Sequence, residues 1–566
     1  MQKKSVRIIV SAILTLIFVA LSFYVTLPAI NPQSEGFWIF LIEGITFYIG
    51  AYILFSFLGQ RKTNKKAKSN FKFKKTAGVI VGICVLLVPV LVLAIGSLVS
   101  STFFNANAYA NLIEVPEADF SDDMPETEIV NNIALMDTDT AIKMGNRTLG
   151  ALSNVVSQYE ISTNYKQINY NKAPQKVSTL EYADFFKWYA NKAQGLPGYV
   201  LVDPVNVTDA KYIELENPIK YTESGYFGDD LMRKLRFSYP TKIFGNCSFE
   251  IDDNGNPYYV VACMMPRIAI FGAYDVSEVI IFDPVSGNSD IYALSEVPAW
   301  VDNVFTGTLA SQKYDWYGTL KNGYWNSIIG NKDCKVTTDD YGYIVIEDDV
   351  WFFTGVTSVV SDESNIGFII SNARTGEYKF YPVTGAEEYS AMDSAQGQVQ
   401  EKGYVASFPS LINVSGEATY IMVLKDSAGL VKLYALVNVE NYAIVATGST
   451  QTEAKEEYLK LLKQNGLIDK IPEKEEVSDT DVVEATIKIS DIQVYTVGGE
   501  SVFYITATDG TIYKQRLCDN EGLIILNKDD TLNIKYKLDN SALVRELISF
   551  SILPAESSEN AAEKVE

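Results

Sequence analysis

The sequence predicts an α+β membrane protein with three N-terminal transmembrane helices, a multi-domain ectodomain of divergent antiparallel hairpin–helix units and a C-terminal β-rich module. Three observations support this fold class. Long apolar runs fill the first 100 residues, strand-like runs alternate with turns and helical stretches over 236–467, and apolar positions alternate from residue 482 onward. Alternation at a period of two is typical of half-buried strands, whereas long apolar runs are typical of membrane helices.

The apolar runs cover residues 8–30, 37–58 and 77–99. Each exceeds the roughly 20 residues that a helix needs to cross the hydrocarbon core. The basic stretch 60–75, QRKTNKKAKSNFKFKK, lies between the second and third runs, and Lys/Arg-rich flanks stay in the cytoplasm. We therefore predict a multi-pass protein of the bacterial cell membrane, with residues 1–100 as its anchor. Its N-terminus is cytoplasmic, and the chain after residue 100 is extracytoplasmic.

Two features of the anchor leave alternatives open. A cleaved signal peptide is the alternative for the first run, although the run is longer than a typical signal core. Glu43 lies inside the second run, where a carboxyl group either makes an intramembrane polar contact with a partner or reaches the outer interface.

Charge is unevenly distributed along the chain. The formal net charge is −23, and because the first 100 residues carry +9, the following 466 carry −32. An acidic ectodomain repels nucleic acid, so we expect no nucleic-acid partner, whereas cations or basic proteins would be attracted. The chain has no histidine, which excludes Ser-His-Asp and Cys-His catalysis and HExxH zinc sites. We predict no cofactor and no metal.

Composition divides the ectodomain into six parts. They are a stalk (101–130), an N-terminal α+β lobe (131–235), tandem hairpin–helix repeats (236–467), a linker (468–481), a small β-rich module (482–552) and a disordered tail (553–566). The spacing of apolar residues predicts helices over 138–158, 179–193, 297–311, 386–400 and 452–463. A strand-like run at 165–177 lies between the first two of these helices.

Turn sequences in the tandem region predict antiparallel hairpins. These sequences are Asn254-Gly255, DPVSG at 283–287, NARTG at 372–376 and SAG at 427–429. Cys247 and Cys263 flank the first hairpin, either as a disulfide or as two buried thiols. The sustained order of strands, turn, strand and helix indicates a divergent internal duplication.

Two of these segments carry a family resemblance. The sequences GNPYYVVA and FDPVSGNSDIY in the first unit, and DVWFF and SNARTGEYKFY in the second, resemble the PepSY domain. The resemblance covers residues 235–465 and rests on short motifs; the N-terminal lobe and the β-rich C-terminus depart from it. It implies a helix packed on a small antiparallel sheet, in an exported or membrane-anchored bacterial protein. Some members are linked to the inhibition or control of peptidases, so the resemblance implies binding rather than catalysis.

Aromatic residues are dense around Gly318 and Gly323. Those that could bind a ligand or partner are Tyr314, Trp316, Tyr317, Tyr324 and Trp325. Exposed rings on a loop stack on sugars or anchor a protein partner, whereas rings that face inward form a core between two units. Both interpretations stay open at this point.

We find no sequence motif for a catalytic residue in the ectodomain. Acidic pairs occur at 229–230, 252–253, 339–340 and 348–349, where turns and strand ends are the simpler explanation. The leading interpretation is a non-catalytic binding, scaffold or regulatory protein of the bacterial envelope. Its partner would be an envelope or membrane protein, with a peptidase as one candidate. The alternatives are a glycan-active hydrolase using two carboxylates and a structural subunit of an envelope complex.

Overall fold

A computed structural model describes residues 2–61, 77–127, 133–151, 157–205, 210–347, 349–359, 361–471, 482–497, 500–517, 520–537 and 544–553. Most of the basic stretch 60–75, most of the predicted linker, the predicted tail and Asp348 therefore lie outside the described residues. The chain forms two compact units, Met1–Tyr458 and Leu459–Glu566.

Three apolar helices begin the first unit. They are α1 (Gln2–Thr26), α2 (Glu35–Arg61) and α3 (Ala77–Val99). Each contains a segment long and apolar enough to cross a membrane: Ser5–Thr26, Glu35–Ser56 and Gly82–Val99. Gly44 faces Val19 of α1, and Gly82 faces Ile49 of α2. Small residues allow such close helix approach where lipid offers no hydrophobic driving force. These helices support the expected membrane association.

The segment after α3 packs against the sheets that follow it in the first unit, for which we keep the name ectodomain from the predicted topology. It forms α4 (Thr102–Ala110) and α5 (Phe120–Asp123), and Tyr109, Ala110 and Phe120 are buried. Backbone bonds then tie it to two sheets, from Ala118 N to Phe380 O (3.0 Å) and from Thr127 N to Asn413 O (2.9 Å). The predicted stalk 101–130 is therefore a packed segment over its described part, because its apolar residues find buried sites.

The N-terminal lobe is an antiparallel sheet with short helices. Its helices are α6 (Thr138–Gly150), α7 (Phe185–Asn191) and α8 (Leu231–Ser238), and its strands are β1 (Tyr159–Ile161), β2 (Lys166–Tyr170), β3 (Ala173–Tyr182), β4 (Leu196–Val202) and β5 (Ala210–Ile219). The strand order is β1-β3-β4-β5, with β2 paired to β3.

Two predictions for this lobe are wrong in detail. The expected strand 165–177 is the β2–β3 hairpin, because Asn171 and Lys172 adopt positive φ and reverse the chain. The expected helix 179–193 begins only after Asp184, whose side chain accepts a hydrogen bond from Lys187 N. Residues before it extend β3, since that strand is covered on both sides by β1 and β4.

The next sheet is a four-stranded antiparallel meander. It contains β6 (Ile243–Ile251), β7 (Pro257–Ile268), β8 (Gly272–Phe282) and β9 (Ser289–Ala293), in that order. Gly255 (φ 81°) and Gly287 (φ 80°) occupy left-handed positions in the β6–β7 and β8–β9 turns, so the predicted hairpins are confirmed. The expected helix 297–311 is wrong over residues 297–306, because the helix begins only at Gly307. Val304 N and Phe305 N instead both donate to Ala373 O of the next sheet.

Two further antiparallel sheets follow α9 (Gly307–Leu320). The first contains β10 (Lys335–Thr337), β11 (Gly342–Ile346), β12 (Asp349–Ser358), β13 (Ser361–Asn372), β14 (Tyr378–Tyr381) and β15 (Gly385–Ala386). After α10 (Glu388–Gln398), the second contains β16 (Val405–Ala406), β17 (Ser410–Val414), β18 (Glu417–Lys425), β19 (Val431–Asn438) and β20 (Val445–Gly448), and α11 (Gln451–Gln464) follows. Helix α9 packs on β10 and β12, and α10 packs on β16 and β18–β20, so each helix covers the sheet that follows it in sequence.

The second unit contains a closed barrel. Its strands are β21 (Val482–Val497), β22 (Glu500–Ala507), β23 (Ile512–Arg516), β24 (Thr531–Lys537) and β25 (Val544–Ile552), in the order β21-β22-β23-β25-β24. Ile489, Ile505, Leu523 and Leu532 fill its core. The prediction of a β-rich C-terminal part is confirmed, and closure of the barrel gives each of its described strands a partner on both sides.

Candidate functional site at the membrane-proximal face

Helix α8 fixes the ectodomain to the end of α1 through Arg236. This side chain is buried, and its Nε donates to Leu27 O at 2.9 Å. Its Nη1 donates to Lys242 O at 2.5 Å and to Tyr239 O at 3.3 Å. Burial lowers the pKa of Arg236 to about 10, so the side chain remains charged at neutral pH. A cation at a helix C-terminus satisfies free carbonyls and interacts favourably with the helix dipole.

Arg233, one turn earlier on α8, makes a second contact with α1. Its Nε donates to Tyr24 O at 3.3 Å, and its guanidinium lies 4.2 Å from the centroid of the Tyr24 ring. Phe237 then packs edge-on against Phe23, with ring centroids 5.7 Å apart. Polar and apolar contacts on one short helix thus hold the same end of α1.

The loop between α1 and α2 is also held by the ectodomain. Ile30 N donates to Pro240 O at 2.7 Å, and Asn31 Nδ2 donates to Thr241 O at 3.0 Å. Tyr274 of β8 donates its hydroxyl hydrogen to Gln33 O at 2.5 Å. This loop therefore has partners in both the turn that follows α8 and the β6–β9 sheet.

The end of α3 contacts the tip of the β7–β8 hairpin. Ser100 Oγ accepts hydrogen bonds from Ile270 N (3.1 Å) and Phe271 N (3.0 Å). The Phe271 ring lies against Gly96, where an added Cβ would be only 2.4 Å from a ring carbon. Gly96 is required here because the aromatic ring occupies the space of any larger side chain.

The five aromatic residues singled out in the sequence occupy different environments. Tyr314 is fully buried among the side chains between α9 and the β10–β15 sheet. Trp316 and Tyr317 are half-buried, and Trp316 packs edge-on against Tyr109 with ring centroids 4.8 Å apart. Tyr324 is half-buried as well, and Trp325 is the one of the five whose side chain is exposed to a ligand or partner.

Half-buried Tyr324 and exposed Trp325 belong to a larger, mostly exposed cluster, which we call the apolar ridge. Its residues are Phe103, Phe104, Tyr324, Trp325, Ile328 and Ile329. The Phe103 ring lies 5.1 Å from that of Tyr324 and 6.0 Å from that of Trp325. Trp325 is 64% exposed and Ile329 is 76% exposed, so the ridge offers apolar surface outward.

A short helical turn at Asn326–Gly330 presents the two isoleucines of the ridge. Asn326 closes this turn, since its Nδ2 donates to Lys332 O at 2.9 Å and its backbone carbonyl accepts from Asn331 N at 2.6 Å. Asn331 adopts a left-handed conformation with φ 46°, which returns the chain towards β10.

Glu43 lies on the exposed side of α2, within the candidate membrane span. Ser22 Oγ of α1 donates to its carboxylate at 3.3 Å. This contact joins the first two helices.

Three of the acidic pairs contribute a helix cap, a turn or an ion pair, and Asp340 of the fourth accepts a hydrogen bond from the Tyr389 hydroxyl. Asp230 caps α8 through Arg233 N (2.6 Å), Asp252 accepts from Asn254 N (2.9 Å) inside its hairpin turn, and Asp349 pairs with Arg374 (2.5 Å). Asp348, which precedes Asp349 in the chain, lies outside the described residues. Cys247 and Cys263 are free thiols rather than a disulfide; Cys263 is buried, whereas Cys247 is half-buried.

Two other carboxylates meet at a buried junction that sequence reasoning missed. Glu250 of β6 accepts hydrogen bonds from Asp302 N (2.8 Å) and Asn303 N (3.1 Å). Asp302 in turn accepts from Asn169 N of β2 at 2.7 Å. Burial raises the pKa of both carboxyl groups. Both side chains are inaccessible to solvent, so this pair joins the lobe to the next sheet rather than facing a ligand.

Glu388 predicts a measurable pH dependence of stability. It is buried at the start of α10, where its Oε1 accepts from Gly355 N at 2.7 Å. Burial raises its pKa from 4.5 to about 7, so the folded state retains a proton that the unfolded state has released. The free energy of unfolding should therefore fall as pH rises between these values, by about 3 kcal/mol. Denaturant unfolding of Glu388→Gln between about pH 5 and about pH 8 should show a shallower fall than the parent chain.

Glu401 offers a control for this experiment because it is an exposed glutamate close to the same helix. Glu401→Gln should keep the slope of the parent chain. Equal slopes for Glu388→Gln and the parent chain would contradict the assignment to Glu388.

Within the described ranges, no group of three or more His, Cys, Asp or Glu side chains is arranged to hold a metal ion. A comparison with protein-family models and with curated proteins found no match to the chain. The sequence does contain a signal for the membrane-proximal contacts, although it was not part of the prediction. Arg233 and Arg236 are three residues apart and lie next to Phe237 in an otherwise acidic ectodomain.

Proposed function

We propose that the protein is a membrane-anchored extracytoplasmic binding or scaffold protein of the bacterial cell envelope, which holds a partner protein at a fixed position above the membrane. This proposal rests on one observation. The ectodomain contacts the end of α1, the α1–α2 loop and the end of α3. A protein tethered only for localisation has no need of such contacts, whereas a scaffold benefits from a fixed orientation.

The topology of the sheets supports a binding role through PepSY-like units. Three consecutive sheets are antiparallel, and their main strands run β6-β7-β8-β9, β10-β12-β13-β14 and β16-β18-β19-β20. Each sheet is preceded by a helix in sequence, namely α8, α9 and α10. This recurring order agrees with the divergent duplication proposed from the sequence. Control of a peptidase is the specific role that the PepSY resemblance adds to the proposal.

An exposed apolar pair marks a candidate partner surface on the third of these sheets. Val405 and Leu430 lie at one end of it, because Val405 and Val431 both pair with Lys425 of β18. Tyr442 lies in the loop between β19 and β20, at the other end of β19. The three side chains are 56%, 52% and 53% exposed, so Tyr442 can serve as a control of equal exposure for the other two.

A photo-crosslinking amino acid placed at each of these positions in the full-length protein tests the proposal in cells. We expect Val405 and Leu430 to capture the same envelope protein in near-stoichiometric amount, and Tyr442 to capture much less. Mass spectrometry of the purified adduct identifies the partner. A peptidase would support the regulatory role. Leu430→Glu should abolish capture at Val405 because a charge opposes apolar contact.

Two results would count against a protein scaffold. One is capture of glycan alone at all three positions, which would favour the hydrolase alternative. The other is equal, weak capture of many proteins at Tyr442 and Leu430, which would show that the apolar pair selects no partner.

A further inference from the structure

Exposed apolar side chains lie beside the ends of the candidate membrane spans at three separate points. The first is Phe237 of α8, which is exposed and yet packs against Phe23. Phe23 is inside the span Ser5–Thr26, three residues from its end, or about 4.5 Å along a helix. Phe237 therefore lies at the depth of the last turn of α1.

The second point is the tip of the β7–β8 hairpin. Phe271 contacts Gly96, which is inside the span Gly82–Val99 and also three residues from its end. The neighbouring Ile270 is exposed, although its backbone N–H is held by Ser100. Ile270 therefore lies at the depth of the last turn of α3, and its exposed side chain meets the same medium that surrounds this helix.

The third point is the apolar ridge. Asn105 Nδ2 donates to Val99 O at 2.6 Å, which folds the first turn of α4 back onto the end of α3. Phe103 and Phe104 lie within this turn and bring Tyr324 and Trp325 with them through ring contacts. The ridge is thus continuous with the end of a membrane helix.

We propose that Phe237, Ile270 and the apolar ridge insert into the interfacial region of the same bilayer that α1–α3 cross, so that the ectodomain is seated on phospholipid. The three points belong to different elements, and each is tied to a helix end at a similar depth. A lipid surface contacts all three at once, whereas a protein partner would have to surround the anchor. Aromatic and aliphatic side chains at the headgroup level are typical of membrane proteins and of interfacial helices.

The test uses the full chain in vesicles of phosphatidylethanolamine and phosphatidylglycerol. A photo-crosslinking amino acid is placed at Ile270, Trp325 or Ile329, and at Tyr442 as the exposed control. We expect mass spectrometry to find phospholipid adducts several-fold more often at the first three positions than at Tyr442. Adducts only with a second copy of the chain, or lipid adducts no more frequent than at Tyr442, would overturn the proposal.

A second measurement avoids the bulky crosslinker. Brominated phospholipids quench tryptophan fluorescence at short range, so Trp325→Phe should lower the quenchable fraction. Trp300→Phe is the matched control, because Trp300 packs against Tyr258, with ring centroids 5.1 Å apart, in the β6–β9 part of the ectodomain. Equal changes in the two variants would show that Trp325 is not at the bilayer.

Discussion

Replacement of Arg236 by methionine is expected to destabilise the junction between the ectodomain and α1 by about 3 kcal/mol or more. Methionine keeps much of the apolar packing but leaves the carbonyls of Leu27, Tyr239 and Lys242 without their shared donor. Hydrogen bonds to a charged group contribute about 1.5–3 kcal/mol each, and buried unpaired carbonyls add to the loss. Chemical denaturation of the full chain in detergent, followed by near-ultraviolet circular dichroism, measures the change.

Lys234→Met provides the matched control for Arg236→Met. Lys234 is on the same helix and has the same charge, but its ammonium lies over the Tyr221 ring, at 5.3 Å from the centroid. We expect this variant to lose less than about 1 kcal/mol, because Lys234 is half-buried and a cation over an aromatic ring contributes about that much. Arg236→Lys should fall between the two, because a lysine cannot reach all three carbonyls at once. Equal losses for Lys234→Met and Arg236→Met would show that Arg236 contributes only its charge.

Gly318→Ala is expected to lower the free energy of unfolding by about 3 kcal/mol, at the upper end of overpacking effects. Gly318 lies in α9, where a Cβ would meet Lys335 O at 2.3 Å. The obstacle is backbone, so α9 must move away from β10. That movement would also stretch the bond from Thr337 N to Asp315 (2.8 Å). Thermal unfolding in detergent should show an earlier transition.

Gly397→Ala separates this steric effect from the general effect of alanine in a helix. Gly397 lies in α10, where an added Cβ has no heavy atom within 4 Å beyond its chain neighbours and the adjacent helix backbone. Alanine should stabilise the protein there by up to about 1 kcal/mol, because it restricts the unfolded chain. A destabilisation of similar size at both glycines would contradict the close α9–β10 contact.

The sequence was most informative where a local pattern determines local structure. Apolar length predicts α1–α3, and the positive φ available to Gly255, Gly376 and Gly429 predicts three of the hairpin turns. Helix boundaries were less certain. Thr179 has helical neighbours in sequence but lies in β3, because pairing with β4 outweighs local propensity.

The candidate site required information that one sequence cannot provide. Tyr314 and Trp325 are similar in sequence context, yet one is buried beside Phe352 and the other is exposed. Which ring faces inward depends on the sheet that packs against α9. The first strand of that sheet begins 15 residues after the end of α9. The pairing of Arg236 with Leu27 joins residues 209 positions apart, and no local pattern encodes it.

The hydrogen bonds that hold the α1–α2 loop to the ectodomain have a mechanical consequence. A flexible tether absorbs a sideways pull as a change in its own end-to-end distance, with little effect on the membrane. Here Ile30, Asn31 and Gln33 are bonded directly to the ectodomain. A lateral force applied to the sheets therefore acts as a torque on α1 and α2, and it tilts the helices within the bilayer.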